Sequence, residues 1–326
     1  MEYQQFLTDI KDCIRWKVSD DYEVKINHVT KNNAVELDGL VLFREDYNIS
    51  PNIYLNQYYG RVQEGECVED LADEILNVYY TAMENQQVKE FELELSLEKM
   101  KTGIIYRLVN YEQNRKVLME VPHIRFLDLA ITFHYLAKQD EEGIGTVRIT
   151  NELLKQWGIS VRELYLIANE NTVRLFPPNI STMDEVIEGI LRSDLRKMFD
   201  YQTLSEEENQ VEEESMDVLI SQMLADMREH SSDITMYILS NTAGINGASV
   251  MIYKNVIRDF ACQKNHDFYI LPSSIHEVIL VAYDESMSRE ELRKMVNEVN
   301  TTQVPEEEVL SDKVYLYKRD TNRIEF

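Results

Sequence analysis

The chain has 326 residues, of which 44% are hydrophobic, and its 33 lysines and arginines face 59 acids, so that the formal net charge is −26. This length exceeds the usual size of one domain, and the apolar content is sufficient for a substantial core. The negative charge repels phosphate backbones, so we expect no direct nucleic-acid binding and interpret the acids mainly as a source of solubility.

The sequence predicts a cytoplasmic location. No segment reaches the roughly 18 consecutive apolar residues of a membrane span. The first residues, "MEYQQFLTDIKDCIRW", lack the apolar stretch of a signal peptide. The cysteines at 13, 67 and 262 are far apart and odd in number, which is typical of reduced thiols. We therefore expect no contact with a membrane.

Residues 1–200 predict a mixed α+β domain of hairpins and amphipathic helices. The predicted elements are helix 3–17, a β-hairpin around "KNN" at 31–33, helix 66–82, strands 104–110 and 126–136, and a helix pair at 151–170. Two capping motifs mark helix starts. Ser160 precedes Glu163 by three residues, and Thr182 precedes Glu185 in the same way.

The segment 201–232 predicts an acidic connection with a helix, and we place the domain boundary there. It holds nine acids and one base, with six glutamates between 206 and 214. We expect 201–215 to be loosely held because like charges repel. Apolar residues at helical spacing predict a buried helical face over 216–228, formed by Met216, Leu219, Ile220, Met223, Leu224 and Met227.

Residues 233–326 predict a ferredoxin-like unit, because strands and helices follow the order βαββαβ. The predicted elements are strand 234–239, helix 248–263, the strand pair 268–271 and 276–283, helix 288–299 and strand 313–318. Strand 276–283 is apolar on both faces, so we expect it to be central, with both helices on one face of a four-stranded antiparallel sheet. The fold class is therefore α+β, with a mixed N-terminal region and a C-terminal ferredoxin-like unit.

The stretch "PSSIHE" at 272–277 is the strongest candidate site. Its candidate binding residues are Ser273, Ser274, His276 and Glu277. In an extended chain, Ser274 and His276 are roughly 6.5–7 Å apart, too far for a direct hydrogen bond. We therefore favour a structural turn in which proline sets φ and the hydroxyls bind local backbone amides. A binding site and a serine-based active site remain the alternatives.

Several other chemistries lack their sequence signals. His276-Glu277 resembles the start of a zinc-binding HExxH motif, but Leu280 occupies the position of the second ligand. The histidines are not at ligand spacing, and no CxxC is present. Gly143 and Gly145 lack the third glycine of a dinucleotide loop. We therefore predict no cofactor, no metal and no catalytic residue.

Six segments resemble a known family: "KNNAVELDGL", "NISPNIYLNQYY", "VPHIRFLDLAITF", "ELYLIANENT", "FYILPSSIHEVIL" and "EVNTTQVPEEEVLSDKVYLYKR". They are similar to a bacterial domain of unknown function found in Gram-positive gut anaerobes. The resemblance covers nearly the whole chain, and the last two segments are its most specific marks. It implies an intracellular bacterial protein and no activity, substrate or catalytic residue.

We therefore expect a non-enzymatic cytoplasmic binding or regulatory module with a protein partner. A hydrolase-type enzyme centred on the turn at 272–277 is one alternative, and an acidic decoy of a DNA-binding protein is another.

Overall fold

A computed structural model describes residues 1–45, 50–84, 94–140, 143–198, 206–229, 235–284 and 287–326. The chain is a mixed α/β protein with several antiparallel sheets. It divides into two compact units, residues 1–99 and 100–326.

The first unit packs two helices on one face of a three-stranded sheet. Its elements are α1 (Tyr3–Lys17), β1 (Glu23–Thr30), β2 (Glu36–Phe43), β3 (Asn52–Tyr54), α2 (Asn56–Gln63) and α3 (Val68–Glu84). The apolar stripes of α1 and α3 form the core together with β1 and β2, through residues such as Phe6, Ile10, Leu71 and Ile75. The predicted helices and the predicted hairpin are confirmed.

The second unit contains the other elements. In chain order they are α4 (Leu97–Met100, at the boundary), β4 (Ile104–Asn110), α5 (Arg115–Leu118), β5 (His123–Phe126), β6 (Leu129–Asp140), β7 (Gly143–Arg148), α6 (Asn151–Trp157), α7 (Val161–Leu175), β8 (Pro178–Thr182), α8 (Met183–Met198), α9 (Glu206–Glu229), β9 (Met236–Asn241), a 3₁₀ helix (Gly247–Ile252), α10 (Val256–Lys264), β10 (Phe268–Leu271), β11 (Val278–Ala282), α11 (Arg289–Thr302), β12 (Tyr315–Lys318) and β13 (Arg323–Glu325).

Both predicted capping motifs are present at helix starts. Ser160 Oγ accepts from the backbone N–H of Glu163, whose carboxylate accepts from the N–H of Ser160. Thr182 and Glu185 exchange the same pair of hydrogen bonds. These side chains satisfy amides that the first turn of a helix leaves without partners.

The four-stranded sheet has β6 at its centre, with β4 on one side and β5 and β7 on the other. The predicted strand 126–136 is wrong at its start, because Leu127 has φ +54 and the chain turns between β5 and β6. Helix α7 packs along β4, where Thr172 Oγ1 accepts from the backbone N–H of Tyr106. This bond occupies an amide at the outer edge of the sheet.

The six-stranded sheet is antiparallel, in the order β13-β12-β10-β11-β9-β8. Strand β11 pairs with β10 and β9, so its predicted central position is confirmed. Strand β8 pairs with β9 and precedes the boundary predicted at 201–232. The sheet therefore contains residues from both sides of that boundary.

The predicted ferredoxin-like arrangement differs from the observed sheet in its last strand. Strand β12 pairs with β10, the second strand of the predicted unit, so the second and third strands are central instead of the first and third. The helices also lie on opposite faces. Phe260 of α10 contacts Phe268, whereas Leu292 and Val296 of α11 pack on Tyr269, and adjacent strand residues point to opposite faces.

Strand direction accounts for the helices on opposite faces. The crossovers from β9 to β10 and from β11 to β12 move the same way across the sheet, but β9 and β11 are antiparallel. Because crossovers of this kind are right-handed, reversing the strand direction moves the connecting helix to the other face. Each face of β11 is therefore covered by its own helix.

The predicted helix 248–263 is two elements. Residues 247–252 form a 3₁₀ helix, and α10 begins only at Val256. Asn255, the last of the three residues between them, has φ +68, a left-handed conformation that interrupts a right-handed helix. In the described ranges, no helix has the length and apolar character to cross a bilayer.

The two-sided burial of β11 predicts that substitutions on either face destabilise the protein. Leu280, which is inaccessible to solvent, lies on the α10 face, and Val281 lies on the α11 face. In guanidinium denaturation, we expect Leu280→Ala to lower the free energy of unfolding by about 2–5 kcal/mol through the cavity it leaves. We expect Val281→Thr to lower it by about 1–3 kcal/mol through its buried hydroxyl. A tolerated change at either position would contradict the arrangement.

Candidate functional site

The segment 272–277 connects β10 and β11, and a neighbouring segment holds its backbone. Ser274 forms an isolated β-bridge with Val309. The N–H of Ile275 donates to the carbonyl of Glu308 at 2.9 Å, and the N–H of Leu310 donates to the carbonyl of Ser273 at 2.8 Å. Residues 273–275 therefore pair with residues 308–310 as two short strands do, and this pairing fixes the turn.

Ser274 makes the hydroxyl contact predicted for a structural turn. Its buried Oγ accepts from the backbone N–H of His276 at 3.0 Å. The hydroxyl also contacts the carboxyl of Glu277. Ser273 bonds through its backbone carbonyl, which accepts from the N–H of Leu310, and the predicted bond of its hydroxyl stays a prediction.

The imidazole of His276 points to groups outside the turn. Its Nδ1 accepts from the backbone N–H of Asn246 at 3.3 Å, so the neutral ring carries its proton on Nε2. Nε2 lies 3.5 Å from a carboxylate oxygen of Glu308. The backbone carbonyl of His276 accepts from Ser240 Oγ at 2.8 Å. Both ring nitrogens are therefore directed away from the Ser274 hydroxyl.

A glycine allows the loop after β9 to approach the turn. A Cβ at Gly247 would lie 2.4 Å from the carbonyl oxygen of His276 and 2.0 Å from Ser240 Oγ. The preceding residue, Asn246, has φ +52, a conformation that asparagine adopts more readily than most side chains. The contact between Asn246 and His276 therefore depends on two adjacent residues. Asn246 adopts a left-handed conformation, and Gly247 has no side chain that would block the close approach.

Glu277 is the acid of the turn, and its pKa is shifted. Its pKa is raised because burial disfavours the charged carboxylate, and the charge of Glu308 acts in the same direction. His276 and the hydrogen bond from Ser274 oppose the rise in pKa. The carboxyl therefore holds a proton to higher pH than an exposed glutamate does.

The polar groups of the turn bind other groups of the fold and are not arranged for a serine-based reaction. A serine nucleophile needs a base within about 3 Å of its oxygen. Here the Ser274 hydroxyl binds backbone and Glu277, while His276 binds Asn246 and faces Glu308. The described part of the chain contains no group of three or more His, Cys, Asp or Glu residues that could hold a metal ion.

A second candidate site lies on α9, where the predicted burial is wrong for three of six residues. Met216 and Ile220 are buried and Leu224 is half-buried, as predicted. Leu219, Met223 and Met227 are exposed by 44%, 39% and 48%. These three residues, four apart along the helix, form what we call the exposed α9 stripe.

The exposure arises because the neighbouring helix α8 covers only one face of α9. Helix α9 contacts α8, and Arg192 of α8 pairs with Asp217 at 2.6 Å. One partner helix covers one narrow face, so the adjacent row of apolar residues stays accessible to solvent. The helix begins at Glu206, within the segment predicted to be loosely held, and 201–205 lie outside the described residues.

The sequence profile of one protein family matches residues 3–319, nearly the whole chain. The chain belongs to the family of unknown function DUF5688. The match includes both compact units, and it agrees with the resemblance inferred from the sequence. Neither the curated proteins nor the solved structures contain a match to this chain.

The partners of the turn in this DUF5688 protein lie far away in the sequence. Glu308 and Asn246 are each 30 or more positions from His276. Local pattern carries no signal for such contacts. The run Asn246-Gly247 was a usable signal, because this pair marks tight turns that bring backbone segments together.

For the turn of the DUF5688 protein, we expect Ser274→Ala to lower the free energy of unfolding by about 0.5–1.5 kcal/mol, the net value of one hydrogen bond. Denaturant titration measures this loss. A serine-directed fluorophosphonate probe should leave Ser274 unlabelled, as read by peptide mass spectrometry. Labelling of Ser274 that disappears in His276→Ala would contradict the structural interpretation.

The raised pKa of Glu277 predicts a pH-dependent effect of Glu277→Gln. The folded state holds the proton more tightly than the unfolded state, so stability falls as pH rises from the ordinary glutamate pKa through the raised one. The variant lacks this loss. Its stability advantage over the parent should grow as pH rises above the ordinary glutamate pKa of 4.5, as read by denaturant titrations at a series of pH values. A difference that does not change with pH would contradict the assigned burial.

Proposed function

We propose that this DUF5688 protein is a non-enzymatic cytoplasmic binding module that holds a basic amphipathic helix of a partner protein on the exposed α9 stripe. The observation that carries the proposal is the exposure of Leu219, Met223 and Met227 beside a buried row on the same helix. The cysteines are free thiols, in keeping with the predicted reducing compartment.

The composition of the stripe suits an adaptable contact. Met223 and Met227 have flexible, polarizable side chains that fit irregular apolar surfaces. From Leu219 to Met227 the stripe extends about 12 Å along the helix, at 1.5 Å per residue. This length matches two turns of a partner helix whose apolar anchors recur at i, i+4 and i+7.

Charge favours a basic partner. Helical periodicity places Asp226 beside the stripe, three positions after Met223 and seven after Leu219. The sequence of α9 also holds six glutamates between 206 and 214. Two copies of this helix repel each other, whereas a lysine- or arginine-rich helix is attracted. The same acids disfavour an anionic membrane surface.

The turn at 272–277 supports a non-enzymatic role. The Ser274 hydroxyl and both ring nitrogens of His276 already contact groups of the fold. Their contacts hold the loop after β9 and the segment before β12 together. These contacts support a structural role for Ser274 and His276 and favour another surface for partner binding.

A designed peptide tests the proposal directly. The probe is a fluorescent amphipathic helix of leucine and lysine, compared with its leucine–glutamate counterpart and with a scrambled leucine–lysine peptide. Fluorescence anisotropy should report binding of the first peptide only. We expect Met223→Asp to weaken this binding about tenfold or more, since it places a charge in an apolar contact.

Ala225→Asp is the matched control, because it adds the same charge to an exposed position on the opposite side of α9. It should leave peptide affinity nearly unchanged, and both variants should change the free energy of unfolding by less than about 0.5 kcal/mol. If the scrambled peptide bound as tightly as the amphipathic leucine–lysine peptide, charge attraction alone would account for the binding. A dimer in sedimentation experiments that Met223→Asp dissociates would identify the occupant as a second copy. Either result would overturn the proposal.

A further inference from the structure

A pocket lies between the two sheets of the second compact unit. The four-stranded sheet contributes Phe126 and Ile131 to its walls, and the six-stranded sheet contributes Tyr317 and Ile324. The volume of this intersheet pocket is about 310 Å³, which lies at the lower end of the range of about 300–1,000 Å³ for small-molecule sites. Its dimensions are therefore those of a site for a small ligand.

The intersheet pocket has an apolar floor and a polar opening. Ile131, Met251 and Ile257 line it and are buried. Asn322 is exposed and Arg258 is half-buried, so these two residues lie where the pocket meets solvent. A bound water needs two to four polar partners, which an apolar floor does not supply. An apolar ring therefore suits the floor better than water does.

Aromatic rings line the pocket, and contacts with the fold hold two of them in place. Tyr165 stacks on Tyr106, with ring centroids 5.9 Å apart and planes inclined by 17°. The hydroxyl of Tyr253 donates to the carbonyl of Phe176 at 3.0 Å. Rings that are already fixed lose little freedom when a ligand binds. Because aromatic side chains are surfaces on which planar heterocycles stack, these walls favour a planar ring.

Two asparagines of the pocket present amide groups to a ligand. Asn255 occupies the N-cap position of α10, where an asparagine side chain commonly accepts from the first turn. It makes no capping hydrogen bond here, so the amide keeps both its acceptor and its donors. The Oδ1 of Asn322 accepts from the hydroxyl of Tyr317 at 2.9 Å, which leaves its amide donors for a ligand. The pocket therefore recognises a ring that has donors and acceptors along its edge.

The charges around the pocket favour an uncharged ligand. Arg258 donates through Nε and Nη2 to a carboxylate oxygen of Asp259, at 2.9 and 2.8 Å. This carboxylate compensates the charge of the arginine. The net charge of −26 repels anions from the protein as a whole. Stacking and amide contacts, which need no ligand charge, are therefore the attractions that the site offers.

We propose that the intersheet pocket binds a neutral purine, either as the free base or as its nucleoside. An asparagine amide pairs through its donor and its acceptor with N7 and the N6 amino group of adenine. The two fused rings of a purine cover more of the aromatic walls than the single ring of a pyrimidine. The pocket is built from β5, β6, α7, α10, β12, β13 and the segments beside them, so the proposal does not depend on the partner surface of α9.

Isothermal titration calorimetry with adenosine and with adenine tests the site. We expect the parent to bind at least one of them, and Asn255→Gly to weaken the affinity about tenfold or more through the loss of the amide. Asn255 has φ +68, which glycine adopts without strain, so the variant removes the side chain and keeps the backbone.

Asn265→Gly is the matched control. It makes the same substitution at the other end of α10, at an exposed residue with φ +60. It should leave the affinity for adenosine and adenine unchanged. Circular dichroism of both variants should match that of the parent.

Two comparison ligands separate the attractions. Indole has two fused rings without the amino edge of adenine, and we expect it to bind the parent at least tenfold more weakly than the better of the two purines. Tyr165→Leu removes a stacking ring and should weaken purine and indole binding alike. Adenosine 5′-monophosphate adds a charge and should bind no more tightly than adenosine.

Tighter binding of adenine than of adenosine identifies the free base as the ligand, and the reverse order identifies the nucleoside. The parent's ranking of these ligands decides the proposal even without the variants. It would be overturned if the parent bound neither purine, bound indole as tightly, or preferred the monophosphate. Unchanged affinity in a folded Asn255→Gly variant would overturn it as well.

Discussion

The burial of β11 on both faces is the constraint on which the second compact unit depends. Each face of this strand needs an apolar cover, and α10 and α11 supply one each. Right-handed crossovers meet this requirement only when both connections move the same way across the sheet. That direction places β12 beside β10 and brings the chain before β12 against the turn at 272–277. The environment of the candidate residues thus follows from how the central strand is covered.

Polar contacts then connect the two sheets of this unit at a few buried points. The carboxylate of Asp128, between β5 and β6, accepts from Ser311 Oγ and from the hydroxyl of Tyr315, both at 2.6 Å. The hydroxyl of Tyr253 donates to the carbonyl of Phe176 at 3.0 Å. The loop containing Asn246 lies in the same region, between the turn and a small cavity lined by Arg107. A satisfied polar network here fixes one relative position of the sheets.

The exposed α9 stripe is the departure from satisfied packing that carries the proposed function. Leu219, Met223 and Met227 leave apolar surface in contact with water. Such a surface is costly in an isolated chain, and a basic amphipathic partner helix covers it in the proposed complex.

Local pattern was sufficient for helices α1 and α3 of the first unit, the capping motifs at Ser160 and Thr182, and the central position of β11. Each depends on neighbouring residues or on one strand's own apolarity. The sequence also located the turn and favoured its structural interpretation from the spacing of Ser274 and His276 alone. Only the tertiary structure decided which strand borders β10 and which row of α9 is covered. These features depend on contacts between residues distant in sequence, which periodicity within one segment does not encode.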